Sequence, residues 1–323
     1  MSIGSDLGPP ASQASAIEVW SEFAGALEPA DVVDTPAVTA RRRFVRRFRR
    51  QRLAVPALVV LLLLGCVAIF APWLAPADPN AIDLMNALQP PPHGHGLGTD
   101  HLGRDVLSRL LVASRVSLQA AVQSVAIGSA IGVPAGLVAG YFGRRVDSVI
   151  SRISDAILAF PPLILAIAVI AMLGPSVTNA MIAIGFVFAP RFLRLTRAEV
   201  LAIREETYIE AARSIGMPST RILARHVLPN ALPPLIVQAS LSAGFAMLAE
   251  ASLSFLGLGV QPPQSSWGAM LSEAATVINR EWTLMLAPGI CIILTTLAFN
   301  LLGDGLRDSI GREARHATKS GSS

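Results

Sequence analysis

Glu210-Ala211-Ala212-Arg213-Ser214-Ile215-Gly216, followed twelve residues on by Leu228-Pro229-Asn230, is a polar, helix-forming stretch set between strongly hydrophobic runs. A connection between two membrane helices has no need of such internal order. Tyr208, Ile209, Ala212 and Ile215 recur at i, i+1, i+4 and i+7, which makes one apolar stripe. Glu205, Glu206, Glu210 and Arg213 fall off that stripe. Gly216 supplies a left-handed stop, and Pro218 blocks continuation. The stretch is expected to form a short amphipathic helix outside the bilayer, shaped to be gripped by something else.

The surrounding chain is built for a membrane. Of 323 residues, 52% are hydrophobic and only 15% are charged, against about 25% charged in soluble domains. Mean hydropathy is +0.55. Cys66 and Cys291 both lie in apolar runs and read as small buried hydrophobes, not as a disulfide pair. Residues 1–40 carry acids but no Lys or Arg, and their Pro/Ala/Ser-rich composition predicts a disordered tail. The single lysine, Lys319, follows Thr318 and cannot complete the Gly-Lys-Ser/Thr of a phosphate-binding loop. ATP hydrolysis through a P-loop in this chain is thereby excluded.

A bilayer crossing needs about 20 mainly apolar residues. Six candidates satisfy this, at 53–74, 116–138, 157–173, 179–195, 232–258 and 283–302, the fourth interrupted by Pro190 and Arg191. Eight arginines between Arg41 and Arg52 precede the first span and place the N-terminus in the cytoplasm. Six spans return the C-terminus there, and Arg144, Arg145 and Arg152, then Arg194 to Arg225, then Arg307, Arg312 and Arg315 all fall on the same side. The long first loop is expected outside despite Arg104, Arg109 and Arg115. Arg41-Arg42-Arg43-Phe44-Val45 also fits a twin-arginine export signal, but its depth in the chain and the spans that follow favour an uncleaved first span.

Few single residues suggest chemistry. Glu250 lies within the fifth span, where a carboxylate costs about 2.5–3.5 kcal/mol unless it meets a partner or a cavity. Either it lines a translocation path with Ser252 and Ser254 beside it, or it bonds across a helix interface. Asn300 shares this assignment, and Asp304 is expected to pair with arginines near the inner end of the sixth span. His93, His95 and His101 with Asp100 and Asp105 match no compact metal site and read as a polar external loop, with Thr99-Asp100 as a helix cap. Gly128, Gly132, Gly136 and Gly140 form a small-residue face for close packing, within the chain or against a second subunit, and Pro134 adds a kink.

The opening motif resembles the EAA loop of ABC-importer permeases. Glu210, Ala211, Ala212, Gly216, Leu228 and Pro229 match its pattern, and His226 stands where the general pattern has an aliphatic residue. His226-Val227-Leu228-Pro229-Asn230 resembles the dipeptide/oligopeptide/nickel branch. So do Gly98-Thr99-Asp100-His101-Leu102-Gly103-Arg104-Asp105 and the block from Leu253 to Pro263 with Ser266-Trp267-Gly268. The likeness covers roughly residues 50–312 and is nearest to the C-type permease subunits of dipeptide transporters. It implies an all-α integral membrane protein of the bacterial plasma (inner) membrane, with six transmembrane helices and a MetI-like five-helix core after an N-terminal helix. The domains expected are the tail 1–40, the first helix and external loop 41–107, the core 108–310 with its coupling loop at about 199–230, and a cytoplasmic tail 311–323.

The resemblance further implies that Glu210, Ala211, Ala212, Arg213, Gly216, His226, Leu228 and Pro229 couple to an ATPase. The implied partners are a sister permease in a heterodimer, cytoplasmic ATP-binding subunits that hold the ATP and Mg, an extracytoplasmic substrate-binding protein, and membrane lipid. No cofactor or metal in this chain and no nucleic-acid partner are expected. Peptides are the expected cargo, with nickel or haem-type ligands as the alternative. A secondary transporter would show several intramembrane charges or an inverted repeat, and an intramembrane enzyme a nucleophile–base pair. Neither pattern is found.

Overall fold

The computed structural model describes residues 46, 48–49, 51–91 and 96–320, with side chains as far as 310. The expectations for the tail 1–40, for the arginine run before residue 46 and for His93 and His95 fall outside them. All regular structure among the described residues is helical. In chain order it comprises α1 (Ala54–Leu74), α2 (Val106–Phe142), α3 (Arg144–Leu158), α4 (Pro162–Leu173), α5 (Val177–Ile203), α6 (Thr207–Ser214), α7 (Ser219–Ile222), α8 (Leu228–Phe255), α9 (Trp267–Thr276) and α10 (Leu286–Ser320). A π-helical turn, Leu223–Val227, joins α7 to α8, so that Ser219–Phe255 forms one long run.

Among the described residues, five helical runs are long and apolar enough to cross a membrane. The expected third span is not one of them. Pro161 and Pro162 break residues 157–173, because proline lacks the donor a helix interior needs. What remains is the amphipathic α3 and the apolar α4, bent by 93° to each other. The twelve residues of α4 rise only about 18 Å, against the roughly 30 Å of a hydrocarbon core.

Even so, the chain crosses the bundle here. Along α2, Gly128 abuts Gly185 and Phe188 of α5, Gly132 abuts Ala189 and Phe192, Gly136 abuts Leu193 and Thr196, and Gly140 abuts Val200. Both numbers rise together, so α2 and α5 run parallel, and the segment between them must return the chain to its starting end. Helix α3 lies across the bundle axis. Its Asp147 pairs with Arg197 and its Asp155 with Arg194, less than one turn apart on α5, although the two acids are eight residues apart. Helix α4 then climbs beside α5, to a loop where Asn179 donates to the carbonyls of Leu173 and Gly174. Counting the bent pair as one crossing gives six.

The glycine face is therefore a seam inside the chain. Carbonyls and Cβ atoms of α5 occupy the space a side chain would need, which is the close approach small residues permit. Helix α5 continues through Pro190, which the sequence suggested as a break. Outward, Leu62, Ile69, Phe70, Leu163 and Ile293 are more than 40% exposed. Large apolar side chains exposed in this number suit contact with lipid or with another protein.

Candidate functional site

The two ends of the bundle carry different chemistry. At one end, α6 rests on the termini of α2, α5 and the α7–α8 run. Ile209 (0% exposed) and Ala212 (6%) sink into a cluster with Val200, Ile222 and Val227. Two members of the predicted stripe do not. Tyr208 is half exposed and Ile215 is 77% exposed. Ile215 lies past the last helical residue, because the helix closes first. Met217 N–H donates to Ala212 O at 3.1 Å and Gly216 N–H to Arg213 O at 2.9 Å, a complete Schellman stop. Gly216 takes φ +77°, which costs other residues about 1–2 kcal/mol. A Cβ there would touch nothing within 4 Å. The demand on Gly216 is conformational, not steric.

Tyr208 instead turns toward the next motif. Asn230 donates to the Tyr208 hydroxyl at 3.2 Å and to His226 O at 2.7 Å, and the Tyr208 and His226 rings lie 6.4 Å apart. His226 thus fills its position as a ring against a ring. Leu228 and Pro229 form the first turn of α8, where proline's missing donor does no harm. Arg213 lies over the Tyr141 ring at 5.1 Å, and Arg204 donates to Gly140 O at 3.0 Å at the C-terminal end of α2. What α6 offers outward is Glu206, Glu210 and Ala211. Glu210 is exposed and makes no ion pair among the described residues. The assembly is a helix moored by two apolar residues, with an unpaired carboxylate on its free face.

At the opposite end, blocks distant in sequence come together. Asp105, not Thr99-Asp100, caps α2 by accepting from Ser108 N–H at 2.8 Å. Asp100 is buried and accepts from Leu102 N–H and Arg104 N–H, and its other oxygen holds Arg104 Nε at 2.6 Å. Arg104 reaches on to Glu273 of α9 at 2.6 Å, and Arg109, only 2% exposed, donates to both Glu273 oxygens at 3.1 Å. Arg104 and Arg109 of the first loop are thus spent on a partly buried ion-pair network, which Arg115 does not join. Ligand atoms of Asp100, His101 and Glu273 lie within 4.8 Å of one another, but both carboxylates already face guanidinium groups.

Beside this network, Ser266 caps α9 and Trp267 is buried, donating from Nε1 to Leu110 O and from its backbone N–H to Ser117 Oγ. Gly268 lies against the Ala251 backbone. Glu250 (2% exposed) sits in the same crook, accepting from Ser254 Oγ at 2.7 Å and from Ser117 Oγ at 3.4 Å. The helix that bonds Glu250 is α2 of its own chain. Ser252 is half-buried and donates to Leu248 O, and Asn300 packs against Gly244, almost two turns along α8 from Glu250. The four residues grouped by sequence therefore separate into a buried pair, Glu250 with Ser254, and two others.

Sequence reading passed over two features. Arg191 was legible only as an interruption of a span, yet its guanidinium lies 5.4 Å from the Phe188 ring and 5.3 Å from the Phe245 ring, a cation held between aromatic faces. Arg115, Gln119 and Gln123 recur every four residues on one face of α2, a polar stripe inside a membrane helix that their spacing alone could have revealed.

Residues 132–316 match the family described as the inner membrane component of binding-protein-dependent transport systems, and residues 39–91 match the N-terminal TM domain of oligopeptide transport permease C. The chain is 45% identical to the probable D,D-dipeptide transport system permease protein DdpC of Escherichia coli K12, over 81% of this chain and 88% of that one. It is 45% identical to the dipeptide transport system permease protein DppC of Alkalihalophilus pseudofirmus, over 85% and 90%. It is 46% identical to the glutathione transport system permease protein GsiD of Escherichia coli O6:K15:H31, over 84% and 90%. A native crystal form of the inward-facing MetNI methionine ABC transporter superposes with a TM-score of 0.51 at 20% identity, over 63% of this chain and 97% of that one, a likeness of fold. The chain belongs to the inner membrane permease components of binding-protein-dependent ABC transport systems.

Proposed function

We propose that this chain is one half of the translocation path of an ATP-driven peptide importer, paired with a sister permease and coupled to ATPase subunits through α6. The free face of α6 carries the proposal. It presents Glu210 and Ala211 to solvent, is fixed to the bundle through Ile209 and Ala212, and ends in a stop that only glycine adopts without strain. A helix anchored on one side and charged on the other suits a groove in a second protein, where Glu210 would make charge-assisted contacts.

With that assignment the α6 end faces the cytoplasm, both termini lie there, and the α9 end faces an extracytoplasmic binding protein. Arginine placement supports this orientation. ATP and Mg belong to the partner subunits, because the only lysine cannot form a P-loop. Peptide cargo is favoured by the names of the relatives, which are permeases of D,D-dipeptide, dipeptide and glutathione systems.

The test is reconstitution with the sister permease, the ATPases and a peptide-loaded binding protein. Glu210→Lys and Gly216→Val should insert and assemble with the sister permease, yet lose binding-protein-driven uptake by about tenfold or more. Wild-type uptake by both variants would remove α6 from the coupling mechanism.

A further inference from the structure

At the α9 end, a cavity of about 450 Å³ opens beside α2. Its volume falls within the roughly 300–1,000 Å³ of small-ligand sites. The polar stripe of α2, Arg115, Gln119 and Gln123, forms one wall, and Asn80, Arg109 and Gln264 contribute to the others. Two guanidinium groups and several amides face the space, and among the described residues no Asp or Glu lines it. Arg109 is committed to Glu273, but Arg115 is exposed and makes no ion pair among the described residues. A charge and two amides on one face of a membrane helix are unfavourable against lipid and belong against water or a polar ligand.

We infer that this cavity binds the cargo itself as a short peptide with a free C-terminal carboxylate, held at Arg115. The inference rests on the importer reading above and specifies its ligand. A carboxylate matches the fork of a guanidinium, which can donate two parallel hydrogen bonds. Arg115 and Gln123 are eight residues apart, about 12 Å along the helix. Three or four peptide units at about 3.3–3.6 Å each span that distance, and a dipeptide covers the about 6 Å from Arg115 to Gln119. The amides of Gln119, Gln123 and Gln264 both donate and accept, so they can bond peptide N–H and C=O groups whatever the side chains. Such a site would select for the terminus and the backbone while tolerating varied residues.

The experiment uses the whole complex in nanodiscs, with sister permease and ATPases but without binding protein, and the photoreactive dipeptide alanyl-p-benzoylphenylalanine as free acid and as C-terminal amide. Crosslinks should map to residues 115–123 or to Gln264, and the amide should crosslink about tenfold less, as expected for loss of one charge-assisted hydrogen bond. Arg115→Gln should lower the acid to the level of the amide, and Arg115→Lys should retain most of the difference. Gln119→Glu places a carboxylate four residues from Arg115 on the same face and should weaken the acid similarly. Being exposed and nearly isosteric, it decides the matter if Arg115→Gln fails to assemble. Uptake of both peptides by proteoliposomes with binding protein is measured in parallel. Transport by the wild type with crosslinks elsewhere, or with acid and amide still distinguished in Arg115→Gln or Gln119→Glu, overturns the site alone. A wild type that transports no peptide overturns the importer reading, and the site with it.

Discussion

Replacing Gly132 by alanine sets two effects of known size against each other. In a helix interior the change gains about 0.5–1 kcal/mol of propensity. On the α2–α5 seam, however, the new Cβ would overlap Ala189 O, lie 2.7 Å from Phe192 Cβ and 3.0 Å from Leu193 N. Two of these atoms are backbone and the third is fixed to it, so none can rotate away. Overpacking costs about 1–3 kcal/mol, and a rigid overlap this close belongs in the upper part of that range, about 2–3 kcal/mol, which leaves Gly132→Ala destabilised by about 1–2.5 kcal/mol. Gly128→Ala is the internal control. Its Cβ would meet Gly185 O at 3.0 Å and Phe188 Cβ at 3.1 Å. A shift of a few tenths of an ångström relieves both contacts, so the propensity gain roughly cancels the strain and the net change stays within about 0.5 kcal/mol. Reversible unfolding in mixed micelles of rising SDS content would give both values. Equal stability of the two variants, or a greater loss at Gly128, would refute the seam as the origin of the effect.

Three further outcomes follow from named contacts. Glu250→Gln keeps an acceptor for Ser254 and should cost under about 1 kcal/mol, whereas Glu250→Leu strands buried hydroxyls and should cost about 1–3 kcal/mol; equal losses in the same unfolding assay would remove the hydrogen bonds from the account. Glu273→Ala leaves Arg109 buried with the Asp100 carboxylate at 3.6 Å and neutral acceptors on Ser265 and Pro79. Removing one partner of a buried pair costs about 3–5 kcal/mol, reduced here to about 2–3 kcal/mol because the Glu273 side chain is 28% exposed; an unaltered unfolding midpoint would show that the network contributes nothing. Cysteine at the exposed positions Asn279 and Thr220 reports orientation: in intact cells an impermeant maleimide should label Asn279→Cys and spare Thr220→Cys, and the reverse pattern would invert the topology.

What was legible in the sequence was local. Gly216 could be read as a helix stop because its αL requirement is a property of one residue and its neighbours. The small-residue repeat announced a close helix contact, but the identity of α5 as its partner depends on a parallel register some 57 residues away. The third span was misread because a hydropathy average over 157–173 does not register that Pro161 and Pro162 end one helix and begin another, or that the preceding amphipathic α3 lies across the axis. Ile215 fits the apolar stripe by spacing and leaves it by geometry, since the Schellman turn closes before it. Glu250 was recognisable as costly, but its partner Ser117 is 133 residues distant, and Arg109 meets Glu273 across 164. No periodicity encodes such pairs.

The parallel seam also fixes where the bundle can flex. Pro134 of α2 and Pro190 of α5 each deprive their helix of one backbone hydrogen bond, at the carbonyls of Ala130 and Phe186. Because Gly132 abuts Ala189 and Gly136 abuts Leu193, the two prolines stand at nearly the same height. Both helices are thus softened in one plane, and the interlocked glycines prevent either from bending without the other. Arg115 lies 19 residues above Pro134, about 28 Å along α2. A shared bend of about 10° at the prolines would sweep Arg115 sideways by about 5 Å, while the segment of α2 below the plane, with Tyr141 under Arg213, stayed in place. The two softened points thus lie at residues that line neither the upper cavity nor α6.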